Sequence, residues 1–291
     1  MRHELDFWVV GGDQRQACLA GLLAADGHTV HTYALDRAGD LTGEALAAED
    51  LSGLDLADCI VLPLPMQGEG GTVNAPMARR PVALEEVLAA ARPGQILCAG
   101  RVEEDHRAAI QRRGLVLRDY FAREELAVAN AVPTAEGAIQ IALEELPITL
   151  HGCRALVLGY GRLGRALAPR LSALGAKVSV AARKWSDLAW IEERGFHAEH
   201  SGELRGWLCA FDLIVNTVPG RLLGAEALAE LKPGCLVIDL ASKPGGVDLA
   251  AARRLGVQAV WALSLPGKVA PVTAGKSIRS TIYNILNELG V

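Results

Sequence analysis

Short apolar runs, each bounded by turn residues, alternate along the chain with segments in which alanine and leucine recur at helical spacing. Such runs are typical of buried parallel strands, and the segments between them are typical of helices that cover a sheet. In the first half, the pattern predicts strands at 7–10, 29–33, 59–64, 96–99 and 115–118, and helices at 15–26, 81–91 and 106–113.

The next segment, NAVPTAEGAIQIALEELPITLHG, is predicted to be a connecting helix. Pro133 suits the first turn of a helix, where its missing N–H costs nothing, and Pro147 ends the helix. A second alternating set follows, with strands at 155–159, 177–182, 213–217, 236–240 and 259–262. Apolar residues on one face of the last segment predict an amphipathic helix, namely Ile278, Ile282, Ile285, Leu286 and Leu289.

We therefore expect an α/β protein of two Rossmann-like or flavodoxin-like parallel-sheet domains, joined by crossover helices with a cleft between them. The first domain would span residues 1–131 together with a returning C-terminal helix at 275–291. The crossover helix would span 132–150, and the second domain 151–274.

Composition narrows the function classes. The chain has 291 residues, enough for two domains, and a net charge of -5 without a basic tract, so we expect no nucleic-acid partner. The apolar run near the N-terminus is too short for a signal peptide or a membrane span, which predicts a cytoplasmic protein that binds no membrane. The six cysteines are dispersed, so we expect buried reduced thiols and no metal site, and we expect the seven histidines at the surface.

The segment GYGRLG has GxGxxG spacing, follows an apolar strand and opens a predicted helix. In that context the first glycine permits a tight turn, the second lets the backbone approach a pyrophosphate, and the third lets helix and strand pack closely. The helix N-terminus then offers N–H groups and a partial positive charge to the phosphates. The predicted cofactor-binding residues of this turn are Gly159, Tyr160, Gly161, Arg162, Leu163 and Gly164.

The end of the next strand favours NADP as the cofactor. NAD-binding domains usually carry an acid there to bind the ribose hydroxyls, whereas this chain has Arg183 and Lys184. Cations at that position attract a 2′-phosphate through charge-assisted hydrogen bonds. Loops after later strands complete the predicted cofactor site, because open α/β sheets bind ligands there: Asn216, Thr217, Val218, Pro219, Asp239, Leu240, Ala241, Ser242, Leu265 and Pro266.

The first domain has two glycine turns of its own. The segment GGDQRQ enters a helix, and Gly12, Asp13 and Arg15 are predicted to bind a substrate carboxylate at that helix N-terminus. After another strand, Gly70 and Gly71 are predicted to form an anion-binding nest of backbone N–H groups.

Taken together, VVGGDQRQ, GEGGTV, NAVPTAEGAIQIAL, GYGRLGRALA, IVNTVPG, VIDLASKPGGVD and LPGKVAPVTAG resemble the dipicolinate synthase A-subunit family of spore-forming bacteria. The resemblance runs nearly from end to end. It implies a substrate domain and an NADP-binding domain that oxidise dihydrodipicolinate to dipicolinate in the mother cell. It also implies a partner, the flavoprotein-like B subunit of dipicolinate synthase. We expect a homo-oligomer as well.

The implied substrate carries two carboxylates and loses a hydride and a proton as its ring becomes aromatic. Arg15, Thr134 and Lys243 are candidates to bind the carboxylates, and Glu136 or Asp239 is a candidate proton acceptor. We expect arginine in relatives at the position of Lys243, so the cation is kept but the bidentate fork is lost.

Two alternatives stay open. One is an oxidoreductase of the D-2-hydroxyacid dehydrogenase type, which would need a late catalytic histidine, whereas no histidine follows His200. The other is a cofactor-binding protein of the synthase complex without catalytic activity, which a chain with few acid–base groups permits.

Overall fold

The computed structural model describes residues 4–291, in which strands and helices alternate. The strands are β1 Asp6–Val10, β2 Thr29–Tyr33, β3 Leu46–Ala47, β4 Cys59–Val61, β5 Ile96–Ala99, β6 Val116–Asp119, β7 Arg154–Leu158, β8 Lys177–Ala182, β9 His197–His200, β10 Leu213–Asn216, β11 Leu236–Asp239 and β12 Gln258–Trp261. The α-helices are α1 Gln14–Ala25, α2 Leu84–Ala90, α3 Glu104–Arg112, α4 Glu124–Glu145, α5 Arg162–Ala173, α6 Trp185–Glu193, α7 Ala225–Ala229, α8 Leu249–Leu255, α9 Leu265–Val269 and α10 Pro271–Leu289. Short 3₁₀ helices lie at Gly39–Thr42, Leu54–Leu56, Glu69–Gly71, Tyr120–Ala122 and Leu208–Ala210.

The chain divides into two compact units. The first runs to Ala129 and includes Ala270–Val291, and the second is Asn130–Val269. Each unit contains one six-stranded parallel sheet, in the order β3-β2-β1-β4-β5-β6 in the first and β9-β8-β7-β10-β11-β12 in the second. Both orders are the doubly wound 3-2-1-4-5-6 arrangement. The prediction of two Rossmann-like parallel-sheet domains is confirmed.

In the first unit, α1 and α10 pack against one face of the sheet. Four side chains of α10 are almost fully buried there, and each contributes roughly 1.5–3 kcal/mol by leaving water: Ile278, Ile282, Ile285 and Leu286. The two helices approach closely at Gly275, where an added Cβ would lie 3.0 Å from the carbonyl oxygen of Arg15. The opposite face is covered by a second apolar cluster that includes α2 and Ile110 of α3.

In the second unit, α5 and the second half of α4 cover one face of the sheet. Ala135, Ala138 and Ala142 of α4 are buried in the same cluster as Leu167 and Leu171 of α5. Within residues 4–291, α4 is the one helix whose length and apolar composition meet the criteria for a membrane span. That is a weak indication, because a buried core helix meets the same criteria.

The predicted start of the connecting helix was wrong. The helix begins at Glu124, nine residues before Pro133, and Pro133 lies inside it. The preceding segment, EELAVANA, consists mostly of residues that form helices readily, so the helix reaches the proline from its N-terminal side. Pro133 removes one N–H from the helix, and just beyond it the hydroxyl of Thr134 donates to the carbonyl oxygen of Asn130 at 2.7 Å.

Three other expectations need correction. Five cysteines are buried, but Cys209 is exposed, and all six are free thiols. His28 is also buried, where its ring contacts Phe7 edge-on at 5.1 Å. The short edge strands β3 and β9 were missed, because β3 has only two residues and β9 has the polar sequence HAEH.

Candidate functional site

The carboxyl ends of four strands lie side by side in the second unit. Leu158 of β7 pairs with Ala181 of β8 and with Asn216 of β10, and Asn216 pairs with Asp239 of β11. Because parallel strands end at the same edge, the loops that follow them leave the sheet together. The structure thus brings the predicted cofactor residues after β7, β8, β10 and β11 to one edge, which we call the cofactor edge.

The turn after β7 has the spatial requirements that its glycines predict. An added Cβ at Gly159 would lie 2.4 Å from Oγ1 of Thr217, and the residue has a φ of +102°. At Gly164 an added Cβ would lie 2.0 Å from the carbonyl oxygen of Gly159, so no other residue fits there. At Gly161 no heavy atom lies within 4 Å. Gly161 therefore leaves room for a pyrophosphate to approach the backbone.

The N-terminus of α5 is open to an anion. Gly161 is its N-cap and supplies no side-chain hydrogen bond, and the first turn contains no acidic residue. A helix N-terminus without a cap or an acid offers its N–H groups and its partial positive charge to a ligand. The residues present therefore fit the diphosphate of a dinucleotide.

Two cations follow β8 at the same edge. Arg183 and Lys184 are exposed, and within residues 4–291 the structure gives neither side chain an ion pair or a hydrogen bond. The carbonyl oxygen of Arg183 is 3.2 Å from Nε2 of His200. The two charged groups are thus available to a phosphate ligand.

Asn216 and Asp239 form a buried network at the base of these loops. The Asn216 amide donates to the Asp239 carboxylate at 2.8 Å and to the carbonyl oxygen of Val218 at 2.9 Å. The Asp239 carboxylate also accepts from the backbone N–H groups of Ala241, Gly246 and Val247.

This network overturns one prediction. Asp239 is 1% exposed and accepts four hydrogen bonds, so its carboxylate has no lone pair left for a substrate proton. Asn216 is fully buried, and its amide likewise donates to protein atoms. Both side chains hold the loops at 217–220 and 240–247 through these hydrogen bonds.

Other predicted cofactor residues differ in how exposed their side chains are. The side chains of Leu240, Ala241 and Leu265 are buried in the core, so only their backbone could contact a ligand. Pro219 and Ser242 are exposed at the cofactor edge, whereas Thr217 is half-buried and donates its hydroxyl hydrogen to the carbonyl oxygen of Leu158 at 2.8 Å.

Glu136 is wrongly placed for a proton acceptor at the cofactor edge. It is exposed on α4, and its carboxylate lies 3.6 Å from Nε of Arg170. Arg170 is in the last turn of α5, whereas the phosphate turn is at the first. A rise of about 1.5 Å per residue separates these ends of α5 by roughly 12 Å. Lys243, in contrast, is exposed in the loop that follows β11.

The glycine turn of the first unit is already filled by a carboxylate. Asp13 is the N-cap of α1 and accepts from the backbone N–H of Arg15 at 2.9 Å. The buried guanidinium of Arg15 donates to both oxygens of Asp13 and to the carbonyl oxygen of Leu64. An added Cβ at Gly12 would lie 2.5 Å from Cβ of Gln16, so Gly12 serves close packing. The turn thus pairs its cation with its own carboxylate, and binding of a substrate carboxylate there stays a prediction.

Two other predicted substrate sites lie elsewhere in the structure. Gly70 and Gly71 are exposed in a loop, have φ angles of +64° and +77°, and have no heavy atom within 4 Å of an added Cβ. The Thr134 hydroxyl hydrogen is used within α4. The anion nest at Gly70 and Gly71 stays a prediction.

Comparisons with known proteins cover the whole chain. Residues 6–121 match the N-terminal domain of the dipicolinate synthase A subunit, and residues 128–248 match the NAD-binding domain of D-isomer specific 2-hydroxyacid dehydrogenases. The dipicolinate synthase A subunit of Bacillus subtilis (strain 168) is 32% identical over 285 residues, which cover 97% of this chain and 95% of the relative. The chain belongs to the family of dipicolinate synthase A subunits.

Solved structures of this family have the same fold. The dipicolinate synthase A chain from Bacillus subtilis has a TM-score of 0.89 at 30% identity and covers 100% of this chain and 98% of its own. The corresponding protein from Bacillus halodurans also has a TM-score of 0.89, at 31% identity, and covers 97% of each chain. A transhydrogenase from Sinorhizobium meliloti shares the fold at 17% identity, with a TM-score of 0.74 and coverage of 97% and 94%.

The match to a dehydrogenase NAD-binding domain supports an oxidoreductase that uses a nicotinamide dinucleotide. It spans the cofactor edge of this family member from β7 to the loop after β11. Sequence reasoning missed Trp185 and His200 at that edge. The signal was present, since a tryptophan directly follows the two cations and a histidine ends the polar strand β9.

Proposed function

We propose that this member of the family oxidises dihydrodipicolinate to dipicolinate with NADP as the hydride acceptor. The observation that supports the proposal best is the cofactor edge, where an uncapped glycine turn adjoins two exposed cations without partners among residues 4–291. The uncapped turn suits a pyrophosphate and the cations suit a 2′-phosphate. The names of the family and of its Bacillus subtilis relative point to dipicolinate as the product.

In the proposed step, the dihydropyridine ring loses a hydride from one carbon and a proton, and it becomes an aromatic pyridine. When bound, the nicotinamide accepts the hydride. The chain then has to bind the two substrate carboxylates and orient one ring carbon, and Lys243 is the exposed cation after β11 that suits this binding.

No tuned acid–base pair is assigned to the proposed step. Glu136 pairs with Arg170, and the Asp239 carboxylate is saturated with hydrogen bonds. Because aromatisation itself favours loss of the proton, we propose that the proton passes to water.

Reconstitution tests the reaction. Purified protein is mixed with NADP and enzymatically generated dihydrodipicolinate, with and without the B subunit that the family resemblance implies as its partner. We expect dipicolinate by chromatography and an equal amount of NADPH by absorbance. If neither mixture produces NADPH, the proposed oxidation is wrong.

A second candidate function follows from the same observations. Since Glu136 and Asp239 are both unavailable as proton acceptors, the chain is alternatively a cofactor-binding component that supports catalysis elsewhere in an assembly. Dipicolinate formation without consumption of NADP, seen only when the B subunit is present, would favour this candidate. The relative is named as one part of a synthase, which supports an assembly. We propose that it forms in the cytoplasm of a spore-forming cell and includes more than one copy of this chain.

The preference for NADP has its own test. Replacing Arg183 with glutamate puts a negative charge where the 2′-phosphate would lie, so we expect NADP to bind at least about 30-fold more weakly while NAD binding changes little. Arg194→Glu is a matched control, because Arg194 is an exposed cation just beyond α6 that pairs with Glu193. Isothermal titration calorimetry with both dinucleotides measures the effect. Equal losses for NAD and NADP would show that Arg183 does not recognise the 2′-phosphate.

A further inference from the structure

Trp185 is an unusually exposed aromatic residue. It is the first residue of α6, directly follows Arg183 and Lys184, and is 75% exposed. An indole with that much surface in water gains little from burial, so the core of the unit does not explain its position.

A histidine supports one face of this indole. The rings of Trp185 and His200 are stacked, with centroids 5.3 Å apart and planes inclined by 18°. His200 is fixed in turn, because Nδ1 accepts from the backbone N–H of Gly202 at 3.3 Å. That bond leaves Nε2 to carry the hydrogen and donate to the carbonyl oxygen of Arg183 at 3.2 Å.

The stacked pair lies at the cofactor edge. His200 is the last residue of β9 and pairs with Ala182, the last residue of β8. Trp185 and the two cations therefore follow the end of β8, and His200 is at the end of the neighbouring strand β9. A preformed aromatic surface beside two cations suits a ligand that has a planar ring and a phosphate close together.

We propose that Trp185, supported by His200, is the surface on which the adenine ring of the dinucleotide stacks. The identity of the ring rests on the proposed function, since a nicotinamide dinucleotide brings an adenosine to this end of the site. Stacking on an aromatic side chain is worth enough to be measured, because purines offer a large π-face. Trp185 would then bind a part that NAD and NADP share, whereas Arg183 would bind the part that differs.

Calorimetric titration of Trp185→Ala tests this division of roles. With NADP, NAD and 2′,5′-ADP, we expect binding about 5- to 150-fold weaker than in the wild type. We expect Trp185→Phe to retain most of the affinity, and nicotinamide mononucleotide, which lacks adenine, to bind all variants equally. Trp190→Ala is the matched control, because Trp190 is also on α6 and 54% exposed but is five residues further on.

A second readout follows the indole itself. Binding of 2′,5′-ADP should quench part of the tryptophan fluorescence, and Trp185→Phe should lose that part while Trp190→Phe keeps it. Thermal unfolding checks that the variants fold, which we expect because Trp185 is mostly exposed.

The outcomes separate the two proposals. If the wild type binds both dinucleotides and Trp185→Ala binds them equally well, the stacking surface is wrong and the proposed function stands. If Trp185→Ala weakens NADP alone, the indole acts on the 2′-phosphate side and the adenine assignment is wrong. If the wild type binds neither dinucleotide, the proposed function fails and the adenine assignment fails with it.

Discussion

The two units of this protein have the same sheet order. They differ in how the N-terminus of the helix after the first strand is capped. In the first unit, the N-cap of α1 is Asp13, whose carboxylate caps the helix and pairs with Arg15. In the second, the N-cap of α5 is Gly161, which supplies no side-chain cap. One N-terminus is thus neutralised by the protein's own anion, while the other is left for an anion that the protein binds.

The two units also share a hydrogen bond at the edge of the sheet where the first strand begins. Asp58 precedes β4 and accepts from the backbone N–H of Asp6, the first residue of β1, at 2.8 Å. Asp212 precedes β10 and accepts from the backbone N–H of Arg154, the first residue of β7, also at 2.8 Å. The difference at the glycine turns is therefore local, and a shared fold does not by itself provide a dinucleotide site.

Copying the acid of the first unit into the second should have the largest effect. In Gly161→Asp, a carboxylate would cap α5 and repel the pyrophosphate, so we expect NADP affinity to fall at least about 100-fold, or about 2.7 kcal/mol. The backbone there has a φ of -78°, and an added Cβ has open space, so the fold should be unaffected. Calorimetry measures the affinity and thermal unfolding the fold.

Gly161→Asn is the matched control for that variant. It has almost the same size and also caps a helix, but it carries no charge. We expect a clearly smaller loss of affinity than with aspartate. If both variants bind equally weakly, space rather than charge distinguishes the two turns.

Removing the acid from the first unit should cost stability rather than binding. In Asp13→Ala, α1 loses its cap and the buried guanidinium of Arg15 loses its carboxylate, so we expect unfolding to become easier by about 2 kcal/mol. Urea unfolding gives the change, with Asp13→Asn retaining the cap as the control. Affinity for NADP should not change, and a large loss would mean that the first turn also contributes to cofactor binding.

The smallest expected effect is on how the free energy of unfolding depends on pH, which should differ between an aspartate of the first unit and one of the second. Burial raises the pKa of Asp6, as does the neighbouring Asp58, whereas His31 lowers it, and the net shift is upward. A raised carboxyl pKa gives stability that is present at low pH and lost as pH rises through the folded pKa. We therefore expect the wild type to lose stability relative to Asp6→Asn as pH rises above about 4.

Asp212 of the second unit should show the opposite sign. Burial raises its pKa, but hydrogen bonds from Lys232, at 2.5 Å, and from the Arg154 N–H outweigh it, so the net shift is downward. The stability it contributes is present above the unfolded pKa and lost as pH falls through the folded one. Asp212→Asn should thus destabilise the protein near neutral pH, and this effect should shrink as pH falls below about 4. Urea unfolding across this range measures both variants, and slopes of the same sign would contradict the assignment.

Much of the fold was predictable because buried parallel strands leave a strong sequence signal. The strands Thr29–Tyr33, Ile96–Ala99 and Lys177–Ala182 begin and end where the apolar pattern predicts. The edge strands β3 and β9 were not predicted, because an edge strand needs few apolar residues. The start of α4 was missed because a proline fits both the first turn of a helix and, at a cost, its interior.

The site was predictable only where it depends on backbone and spacing. The glycine turn and the residues after β8 lie where the motif places them, since glycines report the space that a turn requires. The roles of Glu136, Asp239 and Arg15 were not predictable, because each depends on a partner that is distant in sequence or in an unpredicted contact. A carboxylate near a strand end has the same appearance in sequence whether it faces a ligand or backbone N–H groups.

The sequence by itself determined the two-sheet α/β architecture, the phosphate turn and the cations that follow it. These features follow from the periodicity of apolar residues and from short-range geometry, which a chain encodes locally. The tertiary structure alone decided which polar groups remain available to a ligand. It saturated Asp239, filled the turn at Asp13 and set the Trp185 ring against His200, because hydrogen bonds and stacking join residues that only folding brings together.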